Sequence, residues 1–276
     1  MNDYKFSVLI CVYGGDNALH FDQAMNSIFE QTLQPDEVVL VVDGPICAEL
    51  TSVVDKYTES HKQLKVIQLE KNQGHGTARR IGIESCSYDF IAIMDADDMS
   101  VPDRFEKQIN IFKTNSQVSI VGGQIYEFVD NTNNIVGIRN VPEKDADIKE
   151  YMKKRCPMNQ VTVMFRKEHI LSVGGYIDWY CEEDYYLWIR MAVAEMQFYN
   201  LSENLVFVRV GKEMYQRRGG TKYFKSEAKL QYYMLTKKLI SPLRYLINVT
   251  ERLIIQVLMP NKLRSWIFKK FARKQG

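Results

Sequence analysis

Apolar runs and amphipathic stretches alternate along the first part of the chain. Continuous apolar runs rich in β-branched residues are typical of strands that are buried on both faces. Four strands are predicted at residues 6–13, 37–43, 65–70 and 90–98, and all but the third, KVIQLE, contain such an apolar run. The segments between them have the spacing of helices; one helical face, for example, is formed by Phe21, Ala24, Met25, Ile28 and Phe29. Strands that alternate with helices predict right-handed crossovers and therefore an α/β fold with a mostly parallel sheet flanked by helices.

The pattern becomes less regular in the second half of the chain. A polar, turn-rich segment at 130–160 is of the kind that often contributes to a binding site. Further strand-like runs lie at 119–130, 161–168 and 204–210, and helical stretches lie at 182–196 and from about 224 onward. Because the last stretch is both basic and apolar, we expect residues 1–220 to form the α/β domain and residues 221–276 a helical, basic and amphipathic C-terminal extension.

The run of the fourth predicted strand, FIAIMDADD, ends on three acidic residues, Asp95, Asp97 and Asp98. Because strand side chains alternate between the two faces, we expect Asp95 and Asp97 to point to the same side. Two carboxylates at the carboxyl end of a parallel strand repel each other unless a cation or a ligand donor compensates. Mg²⁺ and Mn²⁺ prefer oxygen ligands and usually bind one or two carboxylates plus substrate phosphates. The run predicts a metal held for a diphosphate, with an acidic turn that caps the next helix as the alternative.

Other polar residues should lie at the same edge of the sheet. Tyr13 ends the first run and Asp43 ends the second. Tyr13 could lie along a nucleobase, and Asp43 could accept from a base or a ribose hydroxyl, or else form a turn with Gly44 and Pro45. The segment NQGHGTAR at 72–79 opens a helix with two glycines. It is either a plain turn or a helix N-terminus that approaches an anion.

Two charged clusters follow later in the chain. Glu182, Glu183 and Asp184 begin a predicted helix, where the helix dipole favours negative charge. They form either an ordinary acidic first turn or a site for a general base, because adjacent acids raise one another's proton affinity. Residues 216–220, QRRGG, form a cationic loop that is suited to phosphate oxygens, with an exposed basic turn as the alternative.

Composition narrows the class of protein and its partners. Hydrophobic content of 46% and charged content of 25% are ordinary for a globular protein, and a net charge of +2 predicts no nucleic-acid partner. Five cysteines without a CxxC pair indicate neither a disulfide framework nor a zinc cluster. Residues 260–276 carry six Lys or Arg and no acid, and apolar residues from Leu243 and Leu246 through Trp266 and Phe271 interleave with the cations of the tail, in which Pro260 divides two helices. They predict an amphipathic helix on an anionic membrane, or one packed on the main domain.

With these residues assembled, the chain resembles glycosyltransferase family 2, whose members have the Rossmann-like GT-A fold. The resemblance covers roughly residues 4–220. It rests on six motifs in this order: SVLICVYGGD, VVDGP, NQGHGTARRIGI, MDADD, EEDYYLWIR and QRRGG. It implies the GT-A fold, a UDP-sugar donor and inversion at the anomeric carbon.

The resemblance also implies roles for individual residues. The donor nucleotide would be bound by Val12, Tyr13, Asp43, Gly74, Arg79, Asp95 and Ala96. Asp97, with Asp95, would bind the Mn²⁺ or Mg²⁺ that bridges the diphosphate. Asp184 would be the general base, with Glu183 beside it. The diphosphate or the acceptor would be contacted by Gln216, Arg217 and Arg218.

The acceptor is expected to be a lipid-linked saccharide used in bacterial capsule or O-antigen synthesis. The enzyme would then work in the bacterial cytoplasm, peripheral on the inner face of the cytoplasmic membrane through residues 260–276. One alternative is a sugar-phosphate nucleotidyltransferase, although GGDNALH after the first strand lacks the cations that such an enzyme needs. The other is a non-catalytic nucleotide-sugar-binding or membrane scaffold protein, which would have no use for the second acidic pair at 183 and 184.

Overall fold

The computed structural model describes residues 4–211 and 220–259. Within these residues one mixed sheet is flanked by helices. Its strands are β1 (Phe6–Tyr13), β2 (Glu37–Asp43), β3 (Leu64–Gln68), β4 (Phe90–Asp95), β5 (Met99–Ser100), β6 (Val118–Phe128), β7 (Ile135–Arg139), β8 (Met164–Arg166) and β9 (Gln197–Arg209). The helices are α1 (Ala18–Phe29), α2 (Ala48–Ser60), α3 (His75–Ser85), α4 (Arg104–Thr114), α5 (Asp145–Met152), α6 (Lys167–Ser172), α7 (Glu183–Val193), α8 (Thr221–Thr236) and α9 (Pro242–Leu253).

The sheet has the order β3-β2-β1-β4-β8-β6-β9-β5, and β7 pairs with β6. The first four strands in this order are parallel, which confirms the α/β fold that the alternating pattern predicts. The second half combines one parallel pairing, β6 with β9, and antiparallel pairings of β5, β7 and β8. The parallel arrangement predicted from the sequence therefore dominates only in the first half.

Alternate residues of the central strands enter two separate cores. Val8 and Val38 face one core with α1, α2 and α4, whereas Leu9 and Val39 face the other with α3, α7 and α8. A sheet covered by helices on both faces needs strands that are apolar at nearly every position. This is why the apolar runs of the sequence predict β1, β2 and β4 within a few residues.

Two predicted strand boundaries are wrong. The strand-like run 161–168 contains a 3₁₀ turn at Gln160–Thr162, the short strand β8, and the start of α6. The Thr162 hydroxyl donates to the Asn159 carbonyl oxygen at 2.7 Å, so this β-branched residue closes a turn where the pattern predicts a strand. The last strand also begins earlier than 204, because β9 pairs with β6 from Gln197 onward.

The helices after residue 220 pack on the α/β domain. Leu230 and Met234 of α8 are fully buried in the core that contains Trp188 of α7. The division of the chain at residue 220 stays a prediction. No helix in the described ranges has both the length and the apolar character that crossing a membrane requires.

Candidate active site

A cavity of about 580 Å³ opens at the carboxyl ends of β1, β2 and β4. Strand register explains its position, because Tyr13 lies opposite Asp43 and Cys11 lies opposite Asp95. The predicted site residues that line it are Val12, Tyr13, Asp43, Gly74, Asp95, Ala96 and Asp97. The cavity is also lined by residues for which the sequence predicts no individual role, of which Asn72, His75 and Ala78 lie in the predicted segment 72–79: Cys11, Gly15, Asp16, Asn17, His20, Asn72, His75 and Ala78. The strand ends thus gather at one edge of the sheet, as the sequence predicts.

Asp43 holds the turn that precedes α3. Its carboxylate is buried and accepts from the backbone N–H groups of Gln73 at 2.7 Å and Gly74 at 3.0 Å. The Asp43 side chain thus bonds to residues 73 and 74 and not to the neighbouring Gly44 and Pro45, which were the alternative. Each carboxylate oxygen has a second lone pair, so Asp43 can still accept from a ligand in the cavity.

Gly44 allows this turn to approach β2. Its backbone has φ +88°, and a Cβ added there would lie 2.4 Å from the Asn72 nitrogen. Gly44→Ala is therefore expected to lower the free energy of unfolding by about 1–3 kcal/mol, because a non-glycine residue is strained in this conformation. Urea unfolding measures the effect. Gly211→Ala is the control, because a Cβ there meets open space; equal stability of the two variants would contradict the prediction.

The acidic segment after β4 is a turn and not a continuation of the strand. β4 ends at Asp95, and Ala96 and Asp97 follow in the turn. Strand alternation therefore does not apply to Asp97, because the strand ends at Asp95. The predicted reason why the two carboxylates share one side is wrong. The turn nevertheless brings both residues to the same cavity.

Asp98 and Arg209 anchor this turn to the end of β9. The Asp98 carboxylate is buried and accepts from the Arg209 backbone N–H at 2.8 Å. The Arg209 guanidinium donates to the Asp97 carbonyl oxygen at 3.2 Å. Burial, with the nearby Asp97 and Asp95, raises the pKa of Asp98 well above its ordinary value. Asp98 thus fixes the turn, while Asp97 faces the cavity.

Arg79 is buried below the cavity and contacts carboxylates on two sides. Its guanidinium donates to Asp95 at 2.7 Å and lies 3.9 Å from the Glu183 carboxylate. Burial, the largest single effect, raises the pKa of Asp95, but the charges of Arg79, His75 and Arg104 and the hydrogen bond from Arg79 together outweigh it and hold that pKa below its ordinary value. Arg79 therefore links the end of β4 to the start of α7.

His75 begins α3 on the cavity side of Arg79. Its Nε2 lies 3.9 Å from the Asp95 carboxylate. The charge of Arg79 is the main cause that lowers the pKa of His75 to about 4, with a smaller contribution from desolvation, since the side chain is 54% exposed; the imidazole is therefore neutral near pH 7. His75 belongs to the segment 72–79, which the sequence predicts to lie at this edge of the sheet.

The acidic cluster 182–184 has three different environments. Glu182 is buried and accepts from the Tyr223 hydroxyl of α8 at 2.6 Å. Glu183 faces Arg79, and burial followed by the nearby Asp184 raises the pKa of Glu183. One oxygen of Asp184 accepts from the Tyr185 backbone N–H at 2.7 Å. Glu182 is therefore a structural residue. Glu183 and Asp184 are not among the residues that line the cavity; Glu183 approaches it through Arg79, and Asp184 follows Glu183 in α7.

Sequence reasoning missed Asp16. This residue accepts from the Tyr13 backbone N–H at 2.9 Å and so fixes the loop after β1. Burial, together with Asp97 and Asp95, raises the pKa of Asp16 to about 6. The signal was available in the sequence, since an acid three residues beyond the first strand must lie near the other strand ends. Asp16 adds a third carboxylate to this side of the cavity.

The residues at the cavity suit a divalent cation that completes its coordination on a substrate. In the described ranges, no three or more His, Cys, Asp or Glu side chains are arranged to hold a metal ion by themselves. Mg²⁺, however, is usually bound by one or two carboxylates together with substrate phosphates. Asp97 and Asp95 line the cavity, and their negative charges raise the pKa of the neighbouring Asp16. This donor set of hard oxygens fits the predicted ion.

Some of the predicted residues lie outside the described residues. These are the candidate diphosphate or acceptor ligands Gln216, Arg217 and Arg218 and the basic segment 260–276. Their predicted roles stay predictions.

Comparison with known proteins agrees with this geometry. The sequence pattern of glycosyl transferase family 2 matches residues 7–173. The chain is 36% identical over 270 residues to a UDP-Gal:alpha-D-GlcNAc-diphosphoundecaprenol beta-1,3-galactosyltransferase of Escherichia coli, covering 98% of this chain and 97% of that one. It is 34% identical over 269 residues to the amylovoran biosynthesis glycosyltransferase AmsE of Erwinia amylovora, covering 96% and 98%. The crystal structure of S. aureus TarS 1-349 in complex with UDP-GlcNAc has a similar fold, with a TM-score of 0.66 at 17% identity over 96% of this chain and 75% of that one.

Proposed function

The chain belongs to glycosyltransferase family 2, and from this premise we propose that it is an inverting enzyme that transfers a sugar from a UDP-sugar to a lipid-linked saccharide. Its product would be an intermediate of a bacterial capsule or O-antigen. One observation carries the proposal. Arg79 contacts both Asp95, at the nucleotide edge of the cavity, and Glu183, in the acidic pair that precedes the body of α7. Donor binding and proton removal would thus take place side by side.

The relatives support the substrate classes in this proposal. The E. coli relative is named for UDP-Gal and for a GlcNAc on diphosphoundecaprenol, and AmsE is named for amylovoran biosynthesis. Both match nearly the whole of this chain and of their own lengths. A UDP-sugar donor and an acceptor on a lipid diphosphate are therefore the classes that we assign. Such an acceptor would place the enzyme at the inner face of the bacterial cytoplasmic membrane.

The cavity residues would bind the donor from two sides. Tyr13 is 45% exposed, which leaves its ring free to lie along the uracil. The buried Asp43 would accept from the base or the ribose through its unused lone pairs. Gly74 has a positive φ and precedes the N-terminus of α3. This end of the helix favours negative charge, so the diphosphate would lie toward it.

Asp97 and Asp95 would hold Mn²⁺ or Mg²⁺ against the diphosphate. The ion would neutralise the charge that develops on the departing UDP. Asp184, which follows Glu183 in α7, would take the proton from the acceptor hydroxyl as the hydroxyl oxygen attacks the anomeric carbon. In that step the new bond from oxygen to the anomeric carbon forms as the bond to the UDP oxygen breaks, and the proton moves to Asp184. Attack from the face opposite to UDP inverts the anomeric centre.

Calorimetric titration with UDP tests the donor site. In the presence of Mn²⁺ the chain should bind UDP, and EDTA or Asp97→Ala should weaken that binding by about tenfold or more, because Asp97 and Asp95 would hold the ion whose charge offsets that of the diphosphate. Asp55→Ala is the matched control, since Asp55 is an exposed carboxylate on α2. If UDP does not bind with Mn²⁺ present, or binds Asp97→Ala and the unsubstituted chain equally, the assigned donor site is wrong.

A further inference from the structure

Helix α9 packs on the protein through its polar face. Asn248 is 1% exposed, and its side-chain amide donates to the Gln231 side chain and to the Lys153 carbonyl oxygen, both at 2.7 Å. The Arg252 guanidinium lies 2.9 Å from the Glu227 carboxylate. One turn further along, Gln256 is 6% exposed and also bonds to Glu227. The contact between α8 and α9 therefore includes hydrogen bonds and one ion pair, beside the packing of the Tyr245 ring against Tyr232 and the core.

The opposite face of α9 is apolar and exposed. Its residues follow a helical spacing of three and four and continue into the π-helical turn at Ile254–Leu258. The exposed side chains and their exposed fractions are Leu243 68%, Leu246 61%, Ile247 39%, Leu253 38%, Ile254 47% and Leu258 67%. We call these six residues the outer face of α9. Ordinary surface helices bury the apolar face and expose the polar one, so α9 has the reverse arrangement.

From this reversed packing we propose that the outer face of α9 binds the surface of an anionic phospholipid bilayer. Contiguous exposed apolar residues mark a binding surface on a protein, and an amphipathic helix can lie in the plane of a membrane interface with its apolar face inserted. A helix of twelve residues is about 18 Å long. The leucines at its two ends would enter the acyl region together.

The charges around the outer face favour an anionic surface. Lys237 and Lys238 are exposed in the turn before α9. Arg244 lies four residues before Asn248, at the edge between the packed and the outer face, and the exposed Lys154 follows α5 in a segment whose carbonyl oxygen accepts from Arg252. The exposed acids in this region are Glu251 on α9 and Glu150 on α5, whose carboxylate interacts with Arg244 and Lys154, so these four cations outnumber the two acids. A cation near an anionic leaflet gains favourable energy from the surface potential, so the basic border and the apolar centre favour the same partner.

The same charges disfavour two other partners for this face. A symmetric dimer would place two copies of the same surface against each other, so the positive charge of Lys237 and Lys238 would be doubled at the interface and not neutralised. The segment 260–276 of this chain carries six Lys or Arg and no acid, so it too would bring positive charge against the basic border. A phospholipid headgroup brings the opposite charge. Membrane binding would give the enzyme access to a lipid-linked acceptor, and this role rests on the proposed function. The binding itself can be measured without donor or acceptor.

Co-sedimentation of the full chain with vesicles tests this proposal. The vesicles contain phosphatidylglycerol and phosphatidylcholine in one series and phosphatidylcholine alone in the other. We expect binding to the anionic vesicles, and we expect the double variant L243Q and L246Q to lower that affinity by at least about tenfold, because two leucines no longer enter the apolar layer. Glutamine keeps the helix propensity close to that of leucine, so the helix itself should persist.

The matched control is the double variant V136Q and L171Q, which changes two exposed apolar residues on other parts of the surface; it should bind like the unsubstituted chain. Equal affinity of the L243Q and L246Q variant and this control would overturn the proposal, as would equal binding to neutral and anionic vesicles. A dimer in sedimentation without lipid that is lost in L243Q and L246Q would assign the face to a second copy. UDP titration of the same variant should be unchanged, which separates a failure of this proposal from a failure of the donor site.

Discussion

Asp184→Asn is expected to lower the rate of sugar transfer by about 10²- to 10⁴-fold, the usual contribution of a general base, while UDP binding stays unchanged. An asparagine keeps the size of the side chain and can keep the contact with the Tyr185 backbone N–H, but it cannot accept the proton of the acceptor hydroxyl. The rate is measured with a radiolabelled UDP-sugar and a lipid-linked acceptor, and UDP binding is measured by calorimetry. Loss of transfer with intact binding would separate chemistry from donor recognition.

The neighbouring acids provide matched controls. Glu182→Gln removes a carboxylate that bonds to the Tyr223 hydroxyl, and we expect it to change stability more than transfer. Glu183→Gln addresses the residue that lies nearer to Arg79. If Asp184→Asn transfers at the normal rate and Glu183→Gln does not, the base is Glu183 and the assignment to Asp184 is wrong. The comparison is needed because the raised pKa of Glu183 gives its carboxylate a higher proton affinity, as a general base requires.

The strand ends could be predicted from the sequence, whereas the contacts beneath them could not. Tyr13, Asp43 and Asp95 end apolar runs, and parallel strands that follow one another place such ends at one edge. The contact between Arg79 and Glu183 depends on how α3 and α7 pack against the same side of the sheet. Residues so far apart in the chain meet only through tertiary packing, for which the periodicity of either helix gives no signal.

The orientation of α9 shows the same limit. The sequence reveals an amphipathic helix with leucines at a spacing of three and four, and such a pattern ordinarily predicts that the leucines face the protein. The face that packs on the protein depends on the surface that receives the helix. On α8 that surface carries the polar side chains Gln231 and Glu227, which bond to Asn248 and Gln256. These polar groups need partners when they are buried. Asn248 and Gln256 therefore turn inward and the leucines outward.

Arg79→Met is expected to lower the free energy of unfolding by about 3 kcal/mol near pH 7, because removal of one partner leaves buried carboxylates without compensation. The Arg79 side chain is only 5% exposed, and Asp95 and Glu183 are 26% and 20% exposed, so solvent screens them only in part. Urea unfolding measures the loss. Arg80→Met is the matched control, since the adjacent Arg80 is exposed and its substitution should change stability by no more than about 0.5 kcal/mol.

The pH dependence follows from the sign of the Asp95 shift. Because the folded protein holds the pKa of Asp95 below its ordinary value, the stabilisation by Arg79 is present above that ordinary value and is lost as pH falls through the folded pKa. The difference between Arg79→Met and the unsubstituted chain should therefore shrink in acid. Adding Asp95→Asn to Arg79→Met should recover much of the loss at pH 7, since no charge remains at that position.

The pKa of His75, which Arg79 holds at about 4, should rise in Arg79→Met and can be followed by NMR. A His75 that titrates unchanged, or a loss of stability that does not depend on pH, would show that Arg79 acts through packing and not through its charge.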